Sequence, residues 1–158
     1  MKNQEKKKET VEIEVPSKAI RVKHATCPKG CNLMDTEHLI NGYPSVTVYA
    51  KTGDKEGLIY LDPIYGSYKN LPEIEIKEGE CADLYCPVCK ISLVHEKETC
   101  SKCGAPMFAI YLPHGGVIEV CTRNGCQSHN LKFTDSEEMG KKLFDDKLYD
   151  ISLRDINH

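Results

Sequence analysis

Large apolar side chains are scarce in this sequence. It has no tryptophan and three phenylalanines, and aromatic residues make up 7% of its 158 residues. A core built from so few bulky side chains is lean, and lean domains depend on disulfides or bound metal for stability. No stretch approaches the run of about 18 apolar residues that spans a membrane, and the charged start MKNQEKKKETVEIEVP lacks the apolar segment of a secretory signal. We therefore expect a cytoplasmic chain with no membrane partner, in which cysteines stay reduced.

The motifs of common enzymes are missing as well. The sequence contains no G-x-S-x-G, no H-E-x-x-H or H-x-E, no P-loop and no G-x-G-x-x-G. The tetrapeptide PHGG at 113–116 lies between two strand-like segments and is interpreted as a hairpin turn. The formal net charge of −3 gives no overall attraction to nucleic acid. These absences predict a protein that is not an enzyme.

Alternating apolar and polar residues predict a mostly β fold of the small α+β class. Strands are expected at 11–15, 19–25 and 73–77, with hairpins over 44–62 and 107–120. Near the end, Thr134 and Glu137 form a capping-box pattern, and Met139 and Leu143 form a thin apolar stripe, which together predict a short C-terminal helix. The expected organisation is a charged tail at 1–10, one β domain at 11–133, and a helix with a tail at 134–158. Apart from the cysteine pairs, no internal repeat is visible.

Nine cysteines are the candidate metal ligands that would stabilise so lean a core. Eight of them fall into four close pairs, and Cys81 is left over as a spare thiol. The pairs are Cys27 with Cys31, Cys86 with Cys89, Cys100 with Cys103, and Cys121 with Cys126. Short gaps containing Pro or Gly turn both sulfurs of a pair toward one point, and a tetrahedral four-thiolate site needs two such turns. The spacing therefore predicts two structural four-cysteine metal sites that staple the β-hairpins.

The run CPVCKISLVHEKETCSKCGAP resembles the double zinc ribbon type of zinc-binding domain. The likeness lies in a C-P-x-C knuckle, ten residues, and then C-x-x-C-G-A-P, and it covers residues 86–106 only. One departure is Lys90, where such knuckles usually carry glycine. The resemblance implies an inner zinc ribbon over 84–106.

The pairing of the four knuckles is the main question that remains open. A nested arrangement closes Cys86, Cys89, Cys100 and Cys103 on each other and joins the two look-alike outer turns, CPKGC and CTRNGC. A sequential arrangement joins the first two pairs and the last two, since the hairpin over 107–120 returns Cys121 close to Cys103. A crossed arrangement has no hairpin to support it. We favour the nested arrangement because of the zinc ribbon resemblance and the likeness of the outer turns.

Zinc is the expected metal, with two ions per chain, and a rubredoxin-like iron centre is the alternative. His129 and His24 lie close to knuckles and are candidate replacement ligands or neighbours of the metal. The expected role is a protein-interaction or assembly subunit of a larger complex, with the tyrosine-rich loop 62–72 as contact surface or, equally, as a cover for the core. Nucleic acid is a partner we do not favour, although Lys29 and Arg123 at knuckle tips and Tyr65, Tyr68 and Lys69 in the loop have suitable chemistry.

Overall fold

A computed structural model describes residues 11–12, 20–65, 67–126, 128–133 and 149–151. Apart from one 3₁₀ turn, Pro113–Gly115, its regular structure consists of β-strands. The strands are β1 (Val11–Glu12), β2 (Ile20–Val22), β3 (Met34–Ile40), β4 (Tyr43–Thr52), β5 (Lys55–Leu61), β6 (Leu71–Pro72), β7 (Asp83–Tyr85), β8 (Val94–Thr99), β9 (Pro106–Tyr111), β10 (Gly116–Cys121), β11 (His129–Phe133) and β12 (Tyr149–Ile151). None of the described segments contains a helix long and apolar enough to cross a membrane.

The strands form two large antiparallel sheets and one small one. The first large sheet has the order β1-β11-β10-β9-β8, and the second has the order β3-β4-β5-β6, with β7 pairing with β4. Strands β2 and β12 pair with each other. The main core lies between the large sheets and is lined by aliphatic side chains of both, among them Val48, Ile59, Ile110 and Ile118, with Phe108 as its buried phenylalanine.

The mostly β prediction agrees with the structure, but the α-helical part of the fold class was wrong. Within the described residues there is no α-helix, and Tyr149–Ile151, inside the segment assigned to a helix and tail, form strand β12 against β2. Residues 134–148, which carry the capping-box pattern, lie outside the described residues, as does the tail 1–10. The strand predicted at 73–77 is also absent, because residues 73–74 form a bend and residues 75–77 have no regular structure.

The chain contains a structural repeat that is not evident in its amino-acid sequence. Residues 25–61, the first repeat, and residues 84–120, the second repeat, each begin with a cysteine knuckle and continue as a three-stranded antiparallel meander, β3-β4-β5 and β8-β9-β10. The registers correspond: Met34 pairs with Val46 and Val46 with Leu61 in the first repeat, as Val94 pairs with Phe108 and Phe108 with Val120 in the second. Both first strands also shift register immediately afterwards, at Asp35 and at His95.

The hydrogen bonds around the knuckles follow the same correspondence. The N–H of Leu33 donates to Ala25 O and that of Thr47 to Leu33 O, just as Leu93 donates to Leu84 O and Ala109 to Leu93 O. The segment before each knuckle then pairs with the middle strand of the other repeat, Tyr85 with Tyr49 and Thr26 with Tyr111. Such reciprocal exchange is the pattern of an isologous, twofold-like interface. The first and second knuckles consequently meet where the two repeats join.

Candidate metal centres

Four tight turns present the eight paired cysteines. The chain folds back at each turn because one residue adopts a positive φ that glycine tolerates well. These residues are Gly30 (93°), Lys90 (66°), Gly104 (80°) and Gly125 (98°). Behind each turn the N–H of the first cysteine closes a backbone hydrogen bond: Cys27 to Cys31 O (3.1 Å), Cys86 to Ile91 O (2.9 Å), Cys100 to Ala105 O (2.7 Å) and Cys121 to Ser128 O (3.0 Å).

Lys90 takes the glycine position of the second knuckle without disrupting it. Its N–H donates to Cys86 O at 2.9 Å, as the N–H of Gly104 donates to Cys100 O at 2.8 Å. Its Nζ donates to Pro87 O at 3.0 Å and lies 4.4 Å from the centroid of the Tyr49 ring. These contacts offset part of the cost of a left-handed lysine.

The eight sulfurs gather into two groups of four, and within each group all Sγ atoms lie within 4.8 Å of one another. The first centre consists of Cys27, Cys31, Cys86 and Cys89, and the second centre of Cys100, Cys103, Cys121 and Cys126. Measured edges are 3.8 Å for Cys27–Cys89, 3.7 Å for Cys100–Cys126 and 3.5 Å for Cys103–Cys121. A tetrahedral ion with sulfur bonds of about 2.3 Å has edges of about 3.8 Å, whereas a disulfide needs about 2.05 Å. The donor set therefore fits a metal ion in each centre.

The predicted nested pairing was wrong, and the arrangement is sequential. The antiparallel pairing of β9 and β10 places Cys121 opposite Met107, four residues after Cys103, so the third and fourth knuckles meet across one hairpin end. The first knuckle meets the second instead, because each is delivered to the junction between the repeats. The run 86–106 thus does not close on itself. Its two knuckles serve different centres, and the likeness of the two outer turns reflects local turn geometry only.

Without metal, the four thiols of a centre cannot all ionise side by side. Burial raises the pKa of the Cys27 thiol, but N–H groups of Cys31 and Lys29 donate to its sulfur and lower the pKa to about 7. The Cys31 thiol, hydrogen-bonded to that sulfur, has its pKa raised to about 12. In the second centre the hydroxyl of Ser128 and nearby N–H groups outweigh burial and lower the pKa of Cys100 to about 6, while burial raises the pKa of Cys121. A divalent cation that displaces these protons would neutralise the clustered charge.

Arg123 is bound to the second centre. Its Nε donates to Cys103 Sγ at 3.4 Å, its backbone N–H donates to Cys121 Sγ at 3.4 Å, and its Nη1 donates to Gly79 O at 2.9 Å. The thiolates in turn raise the pKa of the guanidinium, with Cys103 contributing most. The sequence analysis placed Arg123 at a knuckle tip with chemistry suited to nucleic acid; in the structure its guanidinium lies against the sulfur of Cys103.

The remaining candidates lie outside both groups of sulfurs. His129 packs its ring edge-on against Tyr65, with centroids 4.5 Å apart, and is hydrogen-bonded to the hydroxyl of Tyr68. His24 and Cys81 are exposed and belong to neither group. Tyr65 also packs against the core. These contacts favour the interpretation in which the loop tyrosines cover the core.

The first repeat has a counterpart of the second centre that contains no cysteine. By register, Asp62 follows Leu61 as Cys121 follows Val120. The Asp62 carboxylate accepts hydrogen bonds from four groups: Asn41 Nδ2 in the β3–β4 turn (3.0 and 3.1 Å), the N–H of Ile64 (2.9 Å), the N–H of Lys69 (3.2 Å) and the hydroxyl of Ser67. In the first repeat, the Asp62 carboxylate therefore connects the β3–β4 turn to the loop after β5. In the second repeat, the equivalent β8–β9 and β10–β11 connections carry the four cysteines of the second centre. Sequence analysis missed Asp62, because one aspartate carries no spacing signal.

A cavity of about 320 Å³ lies between the large sheets, beside the second centre. Its wall is largely apolar, and the polar side chains at its edge already have partners. Thr122 donates to Pro106 O, Asn124 Nδ2 to Ile76 O, and Arg123 binds sulfur. Among the described residues that line it there is no carboxylate or histidine that would act as general acid or base.

Comparison of the chain with protein-family models, with curated proteins and with solved structures found no match.

Proposed function

We propose that this chain is a non-enzymatic zinc-binding protein whose two four-cysteine centres are structural, and that it acts as an interaction or assembly subunit of a larger complex. The observation that carries the proposal is the pair of four-cysteine groups, in each of which all sulfurs lie within 4.8 Å of one another. Structural zinc sites use four protein ligands and leave no position for substrate, whereas catalytic sites keep one open. The metal then supplies folding free energy that the lean core lacks.

Zinc and iron are distinguished by a direct measurement. Protein purified without added metal should contain two equivalents of zinc by elemental analysis and should be colourless. A red protein with mainly iron would support the rubredoxin-like alternative, since four thiolates also suit a mononuclear iron centre. Less than one equivalent of any metal would refute the metal-binding function.

A structural role also requires that metal and fold depend on each other. Removal of both ions with a strong chelator should abolish the β-sheet circular dichroism signal and the cooperative thermal transition, and readdition of zinc should restore both. A metal-free protein that still melts cooperatively would show that the centres are not structural.

The interaction role is supported by exposed apolar side chains on a chain whose identifiable chemistry is confined to closed centres. Val88 at the tip of the second knuckle is 68% exposed, and Leu39 and Leu71 are each 52% exposed. The nucleic-acid alternative has lost support, because Arg123, Tyr65 and Tyr68 all have intramolecular contacts. Affinity capture with the wild-type chain, with Val88→Asp and with Leu71→Glu tests the role. A specific partner should be lost with at least one of these variants and retained with a matched change in the exposed β4–β5 turn, Asp54→Asn.

A further inference from the structure

The two centres differ in what surrounds their sulfurs. In the second centre, three of the four sulfurs accept hydrogen bonds from described residues. Backbone N–H groups of Lys102 and Arg123 donate to Cys100 and Cys121 at 3.4 Å each, and Arg123 Nε donates to Cys103 at 3.4 Å, whereas Cys126 Sγ itself donates to Ser128 Oγ at 3.8 Å. Hydrogen bonds and a nearby cation withdraw charge from a thiolate and reduce its nucleophilicity.

In the first centre the donors are unevenly distributed. Cys27 accepts from the N–H groups of Lys29 (3.2 Å) and Cys31 (3.4 Å), and Cys86 accepts from those of Val88 (3.3 Å) and Cys89 (3.5 Å). Within the described part of the chain, no N–H or O–H group donates to the sulfur of Cys31 or of Cys89. Cys89 is exposed and Cys31 is half-buried. The nearest lysine by sequence, Lys90, directs its Nζ to Pro87 O and the Tyr49 ring.

Cys31 and Cys89 are thus two accessible sulfurs, close together, whose thiolate charge is reduced by a bound metal but by no hydrogen-bond donor among the described residues. Their sulfurs lie within 4.8 Å of each other. Reactive redox cysteines combine thiolate character, access to solvent and a neighbouring thiol that completes a disulfide. We propose that the first centre is an oxidation-sensitive site, at which hydrogen peroxide converts Cys31 and Cys89 to a disulfide and releases the metal, while the second centre keeps its ion. The inference rests on the metal occupancy proposed above.

The chemistry proceeds in two steps. One thiolate sulfur attacks a peroxide oxygen, the O–O bond breaks, and a sulfenic acid and a hydroxide ion form. The second thiolate then attacks the sulfenic sulfur, the S–O bond breaks, and a disulfide and a second hydroxide form. Two protons from solvent convert the hydroxides to water, so two thiolates lose two electrons in total and one peroxide gains them. The zinc ion undergoes no redox change and leaves because two of its four ligands are gone.

Release of this ion would act on the junction between the repeats. The first centre contains one knuckle from each repeat. The two knuckles of the second centre lie instead at the β8–β9 and β10–β11 connections, at one end of the second repeat. Oxidation would therefore loosen the contact between the repeats and leave the hairpin end around Cys103 and Cys121 intact.

The test uses the full chain with Cys81→Ser, which removes the spare exposed thiol. Zinc content is measured first, and hydrogen peroxide is then added in the presence of a chromophoric zinc indicator. We expect one equivalent of zinc to be released at least about tenfold faster than the other, the scale on which hydrogen-bonding neighbours alter metal sites. Peptide mass mapping at that point should find one disulfide, Cys31–Cys89, and reduced cysteines throughout the second centre.

A matched variant checks the cause. Arg123→Gln removes the guanidinium from Cys103 and should accelerate release from the second centre toward the rate of the first, while Arg123→Lys, which keeps a positive charge, should change it less. Less than one equivalent of any metal before peroxide is added would refute the metal-binding function on which this inference rests. Two equivalents released at the same rate, a first disulfide elsewhere, or no effect of Arg123→Gln would refute the oxidation-sensitive site.

Discussion

Asp62 is the most informative residue to change, because it tests whether a carboxylate replaces a metal in the first repeat. In Asp62→Ala the four donors that converge on the carboxylate lose their common acceptor. Asn41 and Lys69 are exposed, so water replaces the carboxylate there at little cost. Ile64 is 8% exposed and Ser67 is half-buried, so their N–H and hydroxyl groups stay poorly solvated.

The magnitude follows from the two poorly solvated donors, the Ile64 N–H and the Ser67 hydroxyl. Each unsatisfied donor costs about 1–1.5 kcal/mol, so Asp62→Ala should lower the free energy of unfolding by about 2–3 kcal/mol. For a chain of this size that is a fall in melting temperature of about 5–10 °C. Asp62→Asn keeps one acceptor oxygen and should lose less. Asp54→Ala, at an exposed turn, should stay within about 0.5 kcal/mol of the wild type.

The assay is thermal and denaturant unfolding of zinc-loaded protein, with zinc content measured on the same samples. Both ions should remain bound in Asp62→Ala, because Asp62 belongs to neither centre. A loss below about 0.5 kcal/mol would show that the carboxylate does not hold the two loops together. Loss of zinc from the folded variant would show that the two ends of the molecule are not independent.

The other predictions concern the centres themselves. Cys27→Ser should expose Cys31, Cys86 and Cys89 to alkylation and leave the second centre protected, whereas labelling of Cys121 and Cys126 would contradict the sequential pairing. Cys27 and Cys89 are 62 positions apart in the sequence and Cys103 and Cys121 are 18 positions apart, so by analogy with disulfides, losing the first centre should cost about 4 kcal/mol and losing the second about 3 kcal/mol. Lys90→Gly should be more stable than Lys90→Ala by about 1 kcal/mol, measured by denaturant unfolding, since the left-handed backbone penalises alanine. Zinc binding at pH 7 should release more than one proton per ion, measured by calorimetry in buffers of different ionisation enthalpy. The pKa of Cys31 at about 12 keeps that thiol protonated until metal binds, so affinity and metal-dependent stability should fall as pH falls. Proton release near zero would contradict this.

Local features of the fold could be predicted from sequence, because they depend on neighbouring residues. The hairpins β4–β5 and β9–β10 follow from alternation around Gly-containing turns, and the knuckles follow from cysteine spacing. Strand β8, by contrast, is the polar stretch VHEKET, which has no alternating apolar face and was hidden inside the supposed ribbon. The helical part of the fold class was wrong because the described residues contain no α-helix, and the described part of the segment assigned to a helix and tail, Tyr149–Ile151, pairs as a strand with β2.

The pairing of the knuckles could not be predicted locally, because it depends on which strand each knuckle follows across the molecule. The wrong choice rested on the likeness of CPKGC and CTRNGC, in which a glycine precedes the second cysteine. That glycine favours the positive φ of the turn, and it contains no information about the partner turn. The decisive facts are long-range: Thr26 pairs with Tyr111, and Tyr49 pairs with Tyr85.

The repeat explains why the two centres need not have equal roles. The first centre lies where equivalent elements of the two repeats meet, so its two knuckles are equivalent parts of the fold, even though one carries Gly30 and the other Lys90 at the turning position. The second centre lies at one end of one repeat, and the equivalent end of the other is held by Asp62. With a metal ion bound in the second centre, as we propose, one meander end would be closed by a metal and the other by a carboxylate. An ion in the first centre would cross-link the two repeats where the segments beside Tyr85 and Thr26 pair with the opposite repeat, so we expect the contact between the repeats to depend on the centre in which the sulfurs of Cys31 and Cys89 accept no hydrogen bond from described residues.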